Sequence, residues 1–161
     1  MRVGRWRETV VVQECLTCKL ILRRDQGEAP RWDRIRRTSH WDVVHAFGTA
    51  VEGWVVLVAR RHITAVADMT DEEAAELGPL MRDVSRAISE VVGCEKTYVV
   101  QFAEHADHPR IHVHLIPRAP DLPGRLRGPG IFSLLGVGAD RAVSAARMSE
   151  IADRLDGALK V

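Results

Sequence analysis

Two histidines stand two residues apart in HPRIHVHLIPR, residues 108–118. Extended chain sends successive side chains to opposite faces. Arg110, His112 and His114 therefore share one face, and Ile111, Val113 and Leu115 share the other. The apolar set can enter a core, and the polar set then lines the opposite surface or a cleft. Imidazole exchanges protons near neutral pH and also serves as a nucleophile or a metal ligand. The pair admits three readings: an ordinary solvent-facing strand, part of a metal site, or a catalytic pair. Two ligands alone do not make a metal site. Cys15 and Cys18 form a second reactive group, a Cys-x-x-Cys, which is a good bidentate clamp for zinc. Cys94 sits among apolar neighbours and reads as packing. Three cysteines do not describe a disulfide framework.

The surrounding pattern must position these groups. PRWDRIRRT (30–38) predicts an exposed strand. WDVVHAF (41–47) and GWVVLVARRH (53–62) are β-branched and aromatic, are separated by GTAVEG, and predict an antiparallel pair. Thr70 with Glu73 fits a capping box, and a helix follows with Leu77, Leu80, Met81, Val84, Ala87, Ile88 and Val91 on one stripe. Gly93 is a natural stop, and Pro79 should kink the helix or mark a tight first segment. KTYVVQFAE (96–104) and RIHVHLIPR (110–118) predict two more strands. Residues 119–138, rich in Pro and Gly, predict an ordered loop or flap. A last amphipathic helix is expected over 144–159. Hairpins rather than crossovers give an α+β fold with an antiparallel sheet of about five strands, one main helix and a C-terminal helix.

HVHLIPR resembles the signature strand of the histidine triad (HIT) superfamily, His-x-His-x-His followed by apolar residues and often Pro-Arg. CLTCKL (15–20) looks like the Cys-x-x-Cys near the start of many bacterial members, and GWVVLVARRH looks like their central strand ending in a basic residue and histidine. The resemblance covers residues 14 to 118, with 119–161 as a loop and helix appended within one domain of 1–161. It implies that His112 attacks the α-phosphorus of a nucleotide phosphoanhydride, phosphoester or phosphoramidate, giving a nucleotidyl-histidine that water resolves. His114 would bond the phosphate or the departing group and help deliver a proton. The implied function is a nucleotide hydrolase; a nucleotidyltransferase and a non-catalytic nucleotide-binding protein are the alternatives. The implied partners are a nucleotide or nucleotide conjugate and a second copy of the chain, paired through a Trp-bearing sheet edge or the main helix.

Arg110 departs from that pattern, because the family has its first histidine there. In zinc-containing members that histidine is a ligand with two cysteines and an earlier histidine, which match Cys15, Cys18 and His62. Arginine cannot ligate zinc, and its charge repels the ion. Structural zinc is therefore lost, completed by His108, or held by three protein ligands and an outside group; the chemistry itself requires no metal. Arg110 either binds a substrate phosphate through its guanidinium fork or makes a structural salt bridge, for example with Glu104. The acidic residue that many relatives use for ribose would fall near Ala46, which leaves His45 as the nearest polar group. Gln101, Glu104, His105 and His108 stand where the family has Asn and Gly-Gln-Ser elements, and Gln101 is the candidate substrate contact. Arg118 matches the Pro-Arg ending and reads as structural.

The chain has 161 residues, enough for one domain with its own core. Its 23 basic and 22 acidic residues leave a formal charge of +1, without the positive excess of a general nucleic-acid coat. Arginines do concentrate at 23–37 and 125–130; they are either a solvated face or a steering patch. No apolar stretch has the length of a membrane span. The basic start MRVGRWRETVVV has too short an apolar run for a signal peptide, so a cytoplasmic protein is expected.

Overall fold

A computed structural model describes residues 15–159. The amino-terminal stretch weighed as a signal peptide lies outside the described residues. Five strands form one antiparallel sheet in the order β1-β2-β3-β5-β4. They are β1 (Arg36–Arg37), β2 (Trp41–His45), β3 (Val55–Ala59), β4 (Lys96–Val100) and β5 (His112–Arg118). Helix α1 (Leu16–Asp25) precedes the sheet, α2 (Asp71–Val92) joins β3 to β4, and α3 (Ala145–Ala158) follows β5. The expected architecture of five strands, a main helix and a C-terminal helix is present.

The two faces of the sheet do different work. Val43, Leu57, Val113 and Leu115 face α2 and α3, whose Val84, Ile88, Ile151 and Leu155 complete one core. Val44, Trp54, Val56, Val58 and Ile116 face the other way, with Ile21 of α1 and Ile131 of the 119–138 loop. Strands β2 and β3 are buried along their whole length, so apolar residues occupy both faces and little period-two alternation remains.

Helix α2 begins with the expected capping box. Glu73 N–H donates to Thr70 Oγ1, and Thr70 N–H donates to the Glu73 carboxylate. Gly93 ends the helix at φ +71°, left-handed backbone that glycine adopts without a Cβ penalty. Pro79 lies inside an uninterrupted helix and simply leaves the Ala75 carbonyl without its helical donor. The last helix starts at its Ser144 cap, as expected.

Three predicted strand boundaries require correction. Residues 30–38 form a 3-10 turn at Arg31–Asp33 and only a two-residue strand. Asp33 draws that turn inward: its carbonyl accepts from Arg24 Nε at 2.9 Å and its carboxylate from Arg24 Nη2 at 2.7 Å. Strand β4 stops at Val100, and the chain turns over the sheet through Ala103 at φ 54°, the one non-glycine residue with positive φ among the described residues. Strand β5 starts at His112 rather than at residue 110; Ile111 N–H donates past the end of β3 to the Ile63 carbonyl.

The arginine cluster is largely consumed by the fold. Arg24 pairs with Asp33 and Asp42, Arg31 with Asp153 and Asp156, Arg36 with Asp156, and Arg37 with Asp25 and Asp42. Among the described residues, no helix is long and apolar enough to cross a membrane. Trp41 and Trp54 are fully buried, which removes them from any sheet-edge contact between copies; Trp32 lies on the 3-10 turn.

Candidate active site

The antiparallel register lays out the site. Val58 pairs with Asp42 on one side and His112 on the other; Val56 likewise joins Val44 to His114. These residues share a face, and Val44, Val56, Val58, His112 and His114 floor a cleft of about 770 Å³. Leu20 of α1, Phe47, Phe102 and Phe132 make apolar walls, and Asp33 and Glu104 supply carboxyl groups. Phe47 and Phe102 are 51% and 60% exposed, so two aromatic rings stand open at the cleft. From β2 to β5 the floor spans two strand spacings, roughly 10 Å.

The tautomers of both neutral histidines are fixed by partners that have only one hydrogen-bonding role. His112 Nδ1 lies 2.7 Å from the Arg110 carbonyl. A carbonyl only accepts, so Nδ1 carries the hydrogen, and in the neutral ring the lone pair is on Nε2. Trp54 Nε1–H donates to His114 Nδ1 at 3.0 Å. An indole only donates, so the neutral His114 ring carries its hydrogen on Nε2. The two rings meet edge to face at 5.0 Å, one offering a lone pair and the other an N–H. Burial, with some help from His112, lowers the His114 pKa to about 4; His114 is thus a neutral hydrogen-bond donor at neutral pH. This pairing suits attack on an electrophile whose oxygens need a donor, such as phosphorus.

No family model matches the sequence, and no curated protein matches it. Solved structures do. A Hit-like protein involved in cell-cycle regulation from Bartonella henselae is similar at 16% identity and TM-score 0.65, over 89% of this chain and 94% of that one. A zinc-bound histidine triad family protein from Mycobacterium smegmatis is similar at 18% identity and TM-score 0.64, over 92% and 94%. A hypothetical histidine triad nucleotide-binding protein from Sulfolobus tokodaii is similar at 12% identity and TM-score 0.66, over 89% and 92%. The fold is that of the histidine triad proteins.

Within this histidine triad fold, the first triad position takes an unexpected course. Arg110 is 4% exposed and is not among the residues lining the cleft. Its Nε donates to the carbonyls of Ala59 and Arg61 at 2.7 and 3.1 Å, and Nη2 donates to that of Arg60. Nη1 reaches Cys18 Sγ at 3.2 Å. The guanidinium therefore ties the end of β3 to α1, away from the cleft, and makes no ion pair with Glu104 among the described residues. The main-chain carbonyl of the same residue still orients His112.

Cys15, Cys18 and His62 do come together. One ligand atom from each lies within 4.8 Å of the others, and Cys18 Sγ is 3.0 Å from His62 Nδ1. Donor type and spacing are compatible with zinc. The fourth corner does not fit, because the Arg110 guanidinium stands against Cys18 and cannot coordinate. Burial pushes the Cys18 thiol up, with Cys15 adding to the rise and Arg110 opposing it. Burial, then the charge of Arg110, lowers the proton affinity of His62.

Other expected positions move as well. His108 is absent from the cysteine cluster; it lines the cleft, with Nδ1 2.9 Å from Thr17 Oγ1. His45 touches the cleft but has no free ring nitrogen. Nδ1–H donates to the Ala46 carbonyl at 2.7 Å, and Nε2 accepts from Gly53 N–H at 3.0 Å. His45 is therefore a neutral brace for the β2–β3 turn, and burial lowers its pKa. Gln101 does not line the cleft.

The sequence reading missed Trp54, Thr17 and Asp33. Trp54 carried a usable signal, since a tryptophan at the start of an apolar strand needs a partner for its N–H. Thr17 lies 91 residues from His108, and no local pattern links them. Asp33 sat in what looked like a charge run. It is 2% exposed, and its Oδ2 has no hydrogen-bond partner among the described residues; burial raises its pKa against the pull of Arg24.

Proposed function

We propose that this chain is a histidine triad nucleotide hydrolase that works through a nucleotidyl-histidine on His112. The observation that carries the reading is the complementary tautomers of His112 and His114. In the neutral His112 ring the nucleophilic lone pair is on Nε2, and Nε2–H of His114 is a donor held beside it. In the first step His112 Nε2 bonds to the α-phosphorus and the leaving group departs. His114 donates to a non-bridging oxygen as negative charge builds, without giving up its proton. Water then attacks phosphorus and releases the nucleoside monophosphate.

The cleft fits the rest of a nucleotide. Apolar walls and open aromatic rings suit a base, and the roughly 10 Å floor separates Asp33, near β2, from the imidazoles of β5. Glu104 is the exposed carboxyl at the cleft for sugar hydroxyls or base N–H groups, whereas Asp33 is 2% exposed and paired with Arg24. The likeness to a structure described as a nucleotide-binding protein supports the substrate class. Transfer to an acceptor other than water would share the first step. A closed four-ligand zinc site is not part of the proposal, given Arg110. A homodimer is expected through the outer edge of β4, where Val99 is 52% exposed; light scattering reads it directly.

Intact-mass and peptide mass spectrometry on protein mixed with adenine and guanine nucleotide conjugates tests the chemistry. The expected product is one nucleotidyl group on His112, absent from His112→Ala, with turnover lost in that variant. Undiminished turnover by His112→Ala would end the assignment.

A further inference from the structure

We propose that His108 is a second catalytic histidine, the acid that protonates the leaving group. This rests on the nucleotidyl-histidine reading and names a task which that reading leaves without a residue. Expelling an amine or an alcohol from phosphorus requires a proton on the departing atom. His112 uses Nε2 for attack, and its Nδ1–H is held by a main-chain carbonyl. His114 is neutral, with Nδ1 capped by the Trp54 indole, and giving up its single N–H would leave an imidazolate, so it serves as a hydrogen-bond donor and not as the acid. Both nitrogens of His45 are engaged.

His108 lines the same cleft as His112 and His114. Its Nδ1 faces Thr17 Oγ1 at 2.9 Å, and Thr17 is itself 5% exposed. A hydroxyl can accept from an imidazolium or donate to a neutral ring, so Thr17 serves both protonation states. Nε2 is then the nitrogen left for substrate. The ring is flanked by Phe47 at 6.4 Å and His105 at 5.5 Å. Its loop is tied to α1 by Leu16 N–H donating to the Asp107 carbonyl. Burial is the main cause lowering its proton affinity; repulsion from His105 and His112 adds to this, and Asp107 opposes it. His108 is therefore a stronger acid than free imidazole, and a bound phosphate would restore part of its charge.

The step balances as follows. The His112 Nε2 lone pair forms the N–P bond while the P–O or P–N bond to the leaving group breaks. The bonding pair stays on the leaving atom, which takes the Nε2 proton of the His108 imidazolium. Water then attacks phosphorus, the N–P pair returns to His112, and one proton of that water goes to His108 Nε2. Both histidines regain their starting states.

The test uses the 161-residue chain and aryl and alkyl esters of one nucleoside monophosphate, whose leaving groups span a wide range of acidity. His108→Gln is expected to lower kcat on the alkyl ester by ~10²-fold or more, and on the nitrophenyl ester by under about threefold. KM should be unchanged, and the decline of kcat with rising pH on the alkyl ester should vanish. Thr17→Val, which removes the hydroxyl that holds His108 Nδ1, should act in the same sense by roughly tenfold. Equal losses on every ester in both variants would overturn the acid role. So would failure of His108→Gln alone to label His112 with the nitrophenyl ester. A wild-type protein that labels with no ester overturns the nucleotidyl-histidine reading and this proposal together.

Discussion

Replacing Arg110 by methionine should destabilise the protein by about 3 kcal/mol. The guanidinium satisfies the carbonyls of residues 59, 60 and 61 in a spot where Arg110 is 4% exposed. Methionine fills similar space and donates nothing. One buried acceptor left without a partner costs about 1–3 kcal/mol. Three would exceed that range, but removing the buried charge recovers part of its desolvation penalty. At roughly 2–4 °C per kcal/mol for a chain of this size, the melting midpoint should fall by ~6–12 °C. Circular dichroism melts of wild type, Arg110→Met and Arg110→His, each with chelator and with zinc, provide the assay. Chelator should leave wild type unchanged. Arg110→His should melt low in chelator and recover in zinc, because it supplies a fourth donor to Cys15, Cys18 and His62. Zinc at 100 times its dissociation constant would add about 2.7 kcal/mol. A methionine variant melting within a degree of wild type, or a histidine variant indifferent to zinc, would refute the reasoning.

Two further outcomes follow from the fixed protonation of His114. Trp54→Phe keeps the ring but removes the indole N–H; the His114 tautomer is then free, and kcat should fall about 10–100-fold, the equivalent of about 1–3 kcal/mol, with the fold retained by circular dichroism. A variant with wild-type kcat would mean that the indole does not set the donor. Stability should also depend on pH through the same ring. His114 has a folded pKa of about 4 against an ordinary 6.5, so between these values the unfolded chain binds more protons. Its contribution is whole above pH 6.5 and is lost as pH falls toward 4, by about 2 kcal/mol at pH 5. Urea unfolding of wild type and His114→Asn at pH 7 and pH 5 measures it; the same pH dependence in both would exclude His114 as the source.

The parts of the molecule legible in the sequence were those governed by periodicity. Alternation placed His112 and His114 together opposite Val113 and Leu115, and the capping box and Gly93 marked both ends of α2. Cys15, Cys18 and His62 were brought together by resemblance, and the structure places them within one ligand shell. Alternation failed at Arg110, because it assigns a face but not the reach of a long side chain that can bend back to three carbonyls. The resemblance offered His45 only as the polar group nearest the ribose position, and could not show that two main-chain groups, one of them eight residues away, occupy its ring. His108 could not be separated from the metal cluster without its contact to Thr17, which exists only in three dimensions.

The short connection after β3 is gripped from every side. Arg60 N–H donates to the His40 carbonyl, and Ile111 N–H to that of Ile63. Arg61 clasps Glu73, whose carboxylate also caps α2. Arg110 takes three successive carbonyls, and His62 meets Cys18 of α1. Elements distant in sequence thus share one fastening point. Local opening there would release the first turns of both α1 and α2 at once, so their amides should exchange with solvent as a single cooperative unit. The cleft then inherits its rigidity from a joint at its margin rather than from the imidazoles inside it.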